Sequence, residues 1–306
     1  MTAFTTVLVS FLKIAFYILL GFIVRKYGLL DKKVRKGITD LIMTVIIPCS
    51  IIKSFASPID SETLKSCISI FVISFALSVA GMVIGALFYR KNPKSDSVLR
   101  YGLACPNVSF LGSPIVNALF GATGMVYWSV FMVPYRLIMY TYGVACFTRP
   151  SGKDVIKKFF LNPCVICTII GLVIMLTKIK VSDAIISTLG YGANCLTGLS
   201  MLVIGSILAD ADTRELFNKD TVSFSILRLI LFPVITVLLC WIFKVDPIVT
   251  GVCAILAGTP SSTMNTLFAE KYDGDSELAA KMTVITTIGC LITIPLISAL
   301  ISAIFH

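Results

Sequence analysis

The sequence predicts an all-α integral membrane protein with ten transmembrane helices, arranged as a 5+5 inverted repeat. Three observations support this fold class. Hydrophobic residues make up 57% of the 306 positions and charged residues only 14%, against roughly 45–50% and about 25% in soluble domains. The apolar residues come in runs of about 20, the length that a helix needs to span a bilayer. A Gly-Ser/Thr-Pro motif also recurs in the fourth and ninth of these runs.

The apolar runs define ten predicted spans, numbered one to ten along the chain. They use nearly all of the sequence, so no separate soluble domain is expected. The first run lacks a small-residue cleavage site after a short apolar core, and it is therefore expected to remain as a span. The spans cover residues 4–24, 38–55, 64–88, 98–120, 124–147, 159–176, 184–208, 222–243, 248–269 and 278–305.

The distribution of Lys and Arg predicts the orientation. Most basic residues lie in the connections after the odd-numbered spans, such as Lys32, Lys33, Arg35 and Lys36 after span one. Basic connections favour the cytoplasm, so both termini are predicted to be extracellular, in the plasma membrane. The net charge of +10 is then a topology signal, and no nucleic-acid partner is predicted.

Residue types that usually build catalytic or metal sites are scattered. The ten cysteines lie mostly inside apolar runs, where they are expected to act as small packing side chains. Cys164 and Cys167 form a CxxC pair, but without a second pair or a nearby histidine, packing is favoured over metal binding. The single histidine is His306. The sequence therefore predicts no enzyme, no metal and no cofactor.

Spans four and nine carry matching motifs that predict interrupted helices. Gly112-Ser113-Pro114 in span four matches Gly258-Thr259-Pro260 in span nine. Proline removes a backbone donor, and glycine lowers the cost of leaving the helix. Because each half has five spans, the second half enters the membrane in the opposite sense, an architecture of secondary transporters. We therefore predict two broken helices that cross in mid-membrane. Two ordinary proline kinks are the alternative.

The predicted crossing would attract an anion. Helix halves that begin near Pro114 and Pro260 would direct free N–H groups at it, and helix N-termini favour negative charge. Arg136 lies near the middle of span five, where a charged side chain costs roughly 2.5–3.5 kcal/mol on insertion scales. Its alternative role is structural, bound to carbonyls that the broken helices expose. No Asp or Glu lies in the middle of any predicted span, which favours an anionic substrate.

Uncharged donors complete the predicted site. For the serines, the favoured role is to satisfy freed backbone groups, whereas for Asn107 and Asn265 both roles stay open. Lys13 in span one is a weaker candidate, and Arg228 in span eight is expected to be structural and within reach of the cytoplasmic interface. The predicted substrate-binding residues are Asn107, Ser109, Gly112, Ser113, Pro114, Arg136, Gly258, Thr259, Pro260, Ser261, Ser262 and Asn265.

These residues carry a family resemblance. Residues 106–121 resemble the fourth-span signature of the auxin efflux carrier family, and residues 258–295 resemble its ninth and tenth spans. Pro48 and residues 202–208 also fit. The family includes bacterial malate and malonate permeases and the PIN-type auxin carriers. The resemblance implies that Asn107 contacts a carboxylate, as the matching asparagine does in PIN-type carriers.

The resemblance also implies a division of labour. Spans one, two, six and seven would form a scaffold that often dimerises, and spans three to five and eight to ten a moving transport domain. The predicted repeats cover residues 1–147 and 159–306, joined by a cytoplasmic connection at 148–158. That connection is short, whereas many plant members have a long loop, so a compact microbial carrier is expected.

The sequence as a whole predicts a secondary transporter that moves small organic anions, mono- or dicarboxylates, by elevator-type alternating access. Two alternatives stay open: a sodium-coupled symporter of a larger amphipathic acid, and a membrane sensor that binds its ligand without moving it. The predicted partners are the anion, the lipid bilayer and a second copy of the chain, bound through the scaffold spans.

Overall fold

A computed structural model describes residues 3–56, 61–90, 92–147, 157, 160–177, 179–210 and 216–304. These residues form helices joined by short connections, with one isolated β-bridge and no strand among them. The predicted all-α class is therefore confirmed for the described part of the chain. The α-helices are α1 (Ala3–Lys26), α2 (Lys32–Leu41), α3 (Ile47–Ala56), α4 (Ser61–Phe88), α5 (Pro93–Ala104), α6 (Ser113–Ile138), α7 (Pro163–Thr177), α8 (Asp183–Asp210), α9 (Lys219–Ile226), α10 (Phe232–Ile242), α11 (Pro247–Ala257), α12 (Thr263–Lys271) and α13 (Ser276–Ile304).

Several helical segments are long and apolar enough to cross a membrane. Many of their large apolar side chains, such as Trp241 and Leu296, are exposed on the protein surface. Soluble proteins rarely leave such extended apolar surfaces in water, whereas lipid accepts them. The chain is a multi-pass membrane protein. Within the described ranges, six segments meet the length and composition requirement: Lys32–Ala56, Lys65–Phe88, Ser113–Ile138, Asp183–Asp210, Lys219–Ile242 and Ser276–Ile301.

Three prolines in these helices follow π-turns, which are helical turns widened by one residue. The described residues contain four, and three of them end two residues before Pro48, Pro114 and Pro233. A proline lacks an N–H and its ring collides with the preceding turn, and a π-turn provides a wider turn at that place. The helices therefore continue through these prolines. The four π-turns are Ile42–Ile46, Val108–Gly112, Met139–Gly143 and Leu227–Leu231.

The chain divides into two compact units. Unit 1 comprises Met1–Ile68, Ser113–Val130 and Phe160–Asp210, and unit 2 comprises Ser69–Gly112, Phe131–Phe159 and Ala211–His306. Each unit is therefore built from segments that are distant in the sequence.

In unit 1, α1 and α8 approach each other backbone to backbone through two glycines. A Cβ atom at Gly21 would overlap the carbonyl oxygen of Leu202, and one at Gly205 would overlap that of Ile18. Small residues permit this approach, which gives helix pairs in membranes their van der Waals contact. The pair therefore depends on glycine at both positions.

In unit 2, a buried core holds α5 against its neighbours. Leu103 of α5 packs in one apolar cluster with Phe224 of α9 and Met282 of α13. Gly81 of α4 approaches the same place from another side, since a Cβ there would lie 2.5 Å from the carbonyl oxygen of Leu103 and 2.9 Å from Cα of Ala104. The end of α5 is thus fixed by both side-chain and backbone packing.

Candidate functional site

Two interruptions of helical structure in unit 2 are paired with each other. The first separates α5, which ends at Ala104, from the π-turn that begins at Val108, and the second separates α11 from α12. Pro106 and Ser261 form an antiparallel isolated β-bridge. The backbone N–H of Asn107 donates to the carbonyl oxygen of Pro260 at 2.8 Å. Backbone hydrogen bonding therefore holds the two interruptions directly together.

The first interruption does not lie at the predicted motif. Gly112 is helical, with φ −65° and ψ −49°, and Pro114 stands in the first turn of α6. The first turn needs no N–H from its proline, and the preceding π-turn makes room for the ring. The prediction that span four breaks at Gly112-Ser113-Pro114 is therefore wrong, and the proline at the interruption is Pro106. In span nine, the interruption begins at Gly258, within the predicted motif.

Arg228 lies at the carbonyl ends of both interrupted helices. Its side chain is only 3% exposed. Nη1 donates to the carbonyl oxygen of Leu103 at 3.1 Å, Nε donates to that of Thr259 at 3.1 Å, and Nη2 to that of Leu256 at 3.4 Å. The last carbonyls of a helix have no partner within it, so the guanidinium satisfies α5 and α11 together.

The charge of Arg228 is balanced by the same contacts. Each helix C-terminus carries roughly half a negative charge, so the two ends together offset about one guanidinium. These contacts fit the predicted structural role of Arg228. The expectation that Arg228 reaches the cytoplasmic interface is wrong, because the side chain is buried against the interruptions.

Arg136 is equally buried, at 3% exposed, but its charge is not balanced in this way. Nη2 donates to the Ser109 hydroxyl at the long distance of 3.5 Å, and Nε has no hydrogen-bond partner among the described residues. None of the ion pairs found in the described ranges includes Arg136. The alternative role foreseen for it, bonding to carbonyls of the broken helices, belongs to Arg228. Buried charges are normally paired. The positive charge of Arg136 and its Nε donor are therefore available to a ligand.

One face of α6 places Arg136 next to the first interruption. Met132, Tyr135 and Arg136 are spaced three and four residues apart, so they share a face of the helix. The Tyr135 hydroxyl donates to the carbonyl oxygen of Pro106 at 2.6 Å, and the Ser109 hydroxyl approaches the Met132 sulfur at 3.9 Å. The tyrosine thus anchors the interruption while the arginine faces the turn that follows it.

Asn265 of α12 is fully buried and only partly satisfied. Nδ2 donates to the carbonyl oxygen of Val98 at 2.9 Å and to the Ser261 hydroxyl at 3.3 Å. A carbonyl can only accept, so the bond to Val98 fixes the orientation of the amide. Oδ1 has no partner in the part of the chain that the structure describes. Asn265 therefore stabilises the second interruption and keeps one acceptor unused.

The hydroxyl residues of the second interruption serve its backbone. The Thr259 hydroxyl donates to the carbonyl oxygen of Leu256 at 2.7 Å. The Ser262 hydroxyl accepts from the N–H of Met264 at 3.2 Å and caps α12. These contacts match the role favoured for such residues, which is to satisfy backbone groups that leave the helix.

The remaining predicted residues fall in different places. Asn107 is buried beside its backbone bond to Pro260. Ser113 and Pro114 belong to unit 1, whereas the other predicted site residues belong to unit 2. Lys13 is exposed on α1 and belongs to unit 1.

Two residues of this region were missed from the sequence. Tyr135 anchors Pro106, and the Thr286 hydroxyl accepts from the N–H of Ser261 at 3.0 Å. A signal for Thr286 was present, because span ten contains several threonines in an otherwise apolar run. Such residues are candidates to bond freed backbone groups in a membrane.

Comparison with known proteins agrees with a membrane transporter. The model of the membrane transport protein family matches residues 6–158 and 147–298. An uncharacterized transporter of Methanocaldococcus jannaschii is 21% identical over 290 residues, which cover 91% of this chain and 94% of that protein. An uncharacterized transporter of Methanothermobacter thermautotrophicus is 24% identical over 297 residues, which cover 95% of this chain and 97% of that protein. Because the family model matches nearly the whole chain, the protein belongs to the membrane transport protein family, the auxin efflux carrier family of transporters.

Proposed function

We propose that the protein is a secondary transporter of small organic anions, mono- or dicarboxylates, which bind at the paired interruptions near Arg136. The observation that carries this proposal is the buried guanidinium of Arg136, whose Nε has no hydrogen-bond partner in the described part of the chain. A carboxylate supplies both the opposite charge and the acceptor, and charge-assisted hydrogen bonds of this kind are stronger than those between neutral groups.

The charges around the interruptions favour an anion over a cation. The ends of α5 and α11 offset the charge of Arg228. The positive charge of the site is therefore that of Arg136. The N-terminus of α12, directly after the second interruption, adds partial positive charge. Together, Arg136 and this N-terminus make the site positively charged, so the binding of one negative charge is favourable.

We further propose ten spans, which requires four beyond the six long segments. Gly121 supports this count, because its φ of 56° and ψ of −140° interrupt the helical run Ser113–Ile138. The part before Gly121 completes span four together with α5, and the part after it begins span five. Spans one, six and nine are then α1, α7 and the pair α11 and α12. The 5+5 inverted arrangement, with both termini extracellular in the plasma membrane, remains part of this proposal.

An elevator-type movement is proposed for unit 2. Both interruptions and Arg136 belong to unit 2, so this unit could carry a bound anion as one body. Unit 1 contains most of spans one, two, six and seven, the spans proposed as the scaffold and as the dimer contact. Residues 113–130 group with unit 1, and the proposed transport domain is therefore unit 2 without them.

Uptake by the purified protein in liposomes tests the proposal. The panel contains radiolabelled acetate, malonate, malate and an aromatic monocarboxylate. The variant Arg136→Gln is expected to lose uptake, because glutamine cannot supply the charge. The control Lys36→Gln removes a cation from an exposed position on α2, outside the predicted spans, and is expected to transport at the rate of the unmodified protein.

Two results would count against the proposed transport site. Arg136→Gln protein that is folded and moves the anions at the unmodified rate would refute the site. Anion binding without any flux would support the membrane-sensor alternative instead. Folding of each variant is checked by its thermal unfolding curve.

Asn107→Ala gives a second test of the site. The bond between Asn107 and Pro260 uses the backbone N–H, so it survives the substitution. A lost hydrogen bond to a charged ligand costs about 1.5–3 kcal/mol, and the dissociation constant of the transported anion is expected to rise by about ten- to a hundredfold. Unchanged affinity for every transported anion would remove Asn107 from the site.

A further inference from the structure

The carbonyl oxygens at an interrupted membrane helix are ligands that have to be satisfied. Lipid offers them no hydrogen bond. In transporters with discontinuous helices, unwound carbonyls and half-helix C-termini commonly coordinate a coupling ion such as sodium. The question for this protein is therefore which group occupies these oxygens.

In unit 2, protein donors occupy carbonyl oxygens at both interruptions. Arg228 bonds those of Leu103, Leu256 and Thr259, at 3.1, 3.4 and 3.1 Å. A single buried cation thus reaches oxygens on both sides of the paired interruptions. Of the two prolines there, Pro106 accepts from the Tyr135 hydroxyl at 2.6 Å, and Pro260 accepts from the N–H of Asn107 at 2.8 Å.

The guanidinium also matches this place in charge and cannot leave it. Two helix C-termini together carry about one negative charge. One guanidinium neutralises it, and a second cation would leave an excess of positive charge. The group is attached to the chain and lies over the ring of Phe232, with the guanidinium carbon 5.1 Å from the ring centroid. A face-on aromatic ring adds a further attraction for a cation.

We propose that Arg228 is a built-in cation that takes the position of an exchangeable coupling ion between the two interrupted helices. The consequence rests on the proposed anion transport: binding and movement of the anion need no sodium. Arg228 is then a positioning residue, since it acts on the ends of α5 and α11 and has no contact with the anion assigned to it. The sodium-coupled symporter is the alternative that this arrangement argues against.

Thermal unfolding in matched salts tests the cation site without reference to any substrate. The unmodified protein is expected to unfold at the same temperature in sodium chloride and in choline chloride. Arg228→Ala empties the site, so it should unfold at a lower temperature and regain part of the loss in sodium chloride or in millimolar guanidinium, compared with choline chloride. A merely structural arginine would leave no sodium-specific stabilisation behind.

Two results would overturn the inference. One is a higher unfolding temperature of the unmodified protein in sodium than in choline, and the other is an Arg228→Ala protein that responds to neither sodium nor guanidinium. If Arg228→Ala does not fold, Arg228→Lys replaces it, because lysine keeps the charge but spans fewer of the three carbonyls. Its partial loss should be reduced by guanidinium, and no response would count against the proposal.

Uptake measured in the same two salts separates this inference from the proposed function. Uptake of malonate or malate by the unmodified protein is expected to agree within twofold in sodium and in choline. A tenfold or greater loss in choline would refute the built-in cation and leave anion transport standing. Absence of all carboxylate uptake, with the unfolding results as expected, would refute the proposed function and leave the cation site standing.

Discussion

The two buried arginines are expected to change the stability of the protein in opposite directions when each is replaced by glutamine. Both side chains are 3% exposed. Arg228 donates to three backbone carbonyls, whereas Arg136 has one long bond to a hydroxyl and an Nε without a partner among the described residues. Removing a buried cation lowers the stability of the folded protein where the cation satisfies hydrogen-bond acceptors, and raises it where the cation does not.

The magnitudes follow from these contacts. Each buried carbonyl that loses its donor costs about 1–3 kcal/mol. The carbonyl of Leu256 keeps its bond from the Thr259 hydroxyl, so Arg228→Gln leaves those of Leu103 and Thr259 without their donor and is expected to destabilise the protein by about 2–6 kcal/mol. A charge at the centre of a span costs roughly 2.5–3.5 kcal/mol on insertion scales, and Arg136→Gln removes it. A gain of about 1–3 kcal/mol is expected, because glutamine is itself polar.

Thermal unfolding of the detergent-purified protein, without any carboxylate present, measures both effects. The protein carries free cysteines that are buried, including Cys105, Cys253 and Cys290, so a thiol-reactive fluorogenic dye reports their exposure. About 2–4 °C per kcal/mol is typical for chains of 150–250 residues. Arg136→Gln should therefore raise Tm by a few degrees, and Arg228→Gln should lower it by more.

A control variant and an added anion test the comparison between the two arginine variants. Lys36→Gln alters an exposed cation on α2, outside the predicted spans, and should leave Tm nearly unchanged. A transported anion should raise the Tm of the unmodified protein, because a ligand that binds only the folded state stabilises it, and should not raise that of Arg136→Gln. If Arg136→Gln lowers Tm as much as Arg228→Gln does, Arg136 is a satisfied structural residue and the electrostatic reasoning is refuted.

Two glycines give further predictions. Gly205→Ala places a methyl group against the backbone of Ile18, and overpacking of this kind typically costs about 1–3 kcal/mol, so Tm should fall by several degrees. Gly81→Ala forces α4 away from the carbonyl of Leu103 and should lower both Tm and the rate of anion uptake. Gly37→Ala is the control for both, since a methyl group there meets no atom within 4 Å. Equal Tm values for the three variants would show that neither close approach matters.

Much of the fold follows from local sequence. Runs of about 20 apolar residues are helices in a membrane because only hydrogen bonds within the segment satisfy the backbone there. The break in span nine was foreseen from Gly258 and Pro260, which stand at the observed interruption. The break in span four was misplaced, because Pro114 suits either an interruption or the first turn of a helix. The π-turn before Pro114 allows the helix to continue through the proline, and no residue pattern predicts this π-turn.

The candidate site was foreseen only in part. Arg136 was singled out because a charge in mid-span is costly, and Asn265 because of its place after the motif. Asn265 and Arg136 both retain an unsatisfied buried atom among the described residues. Tyr135 and Thr286 were missed, since a hydroxyl in an apolar run has no evident partner until the chain is folded.

The sequence by itself determined that this chain enters the membrane many times as helices, because apolar runs and the absence of water leave the backbone no other choice. Only the tertiary structure decided which buried arginine is balanced. The carbonyls that hold Arg228 lie 125, 31 and 28 residues from it along the chain, and no spacing in the sequence connects them. A guanidinium's role depends on the oxygens that folding brings within reach: Arg228 meets three backbone carbonyls, whereas among the described residues Arg136 meets only the Ser109 hydroxyl, at a long distance.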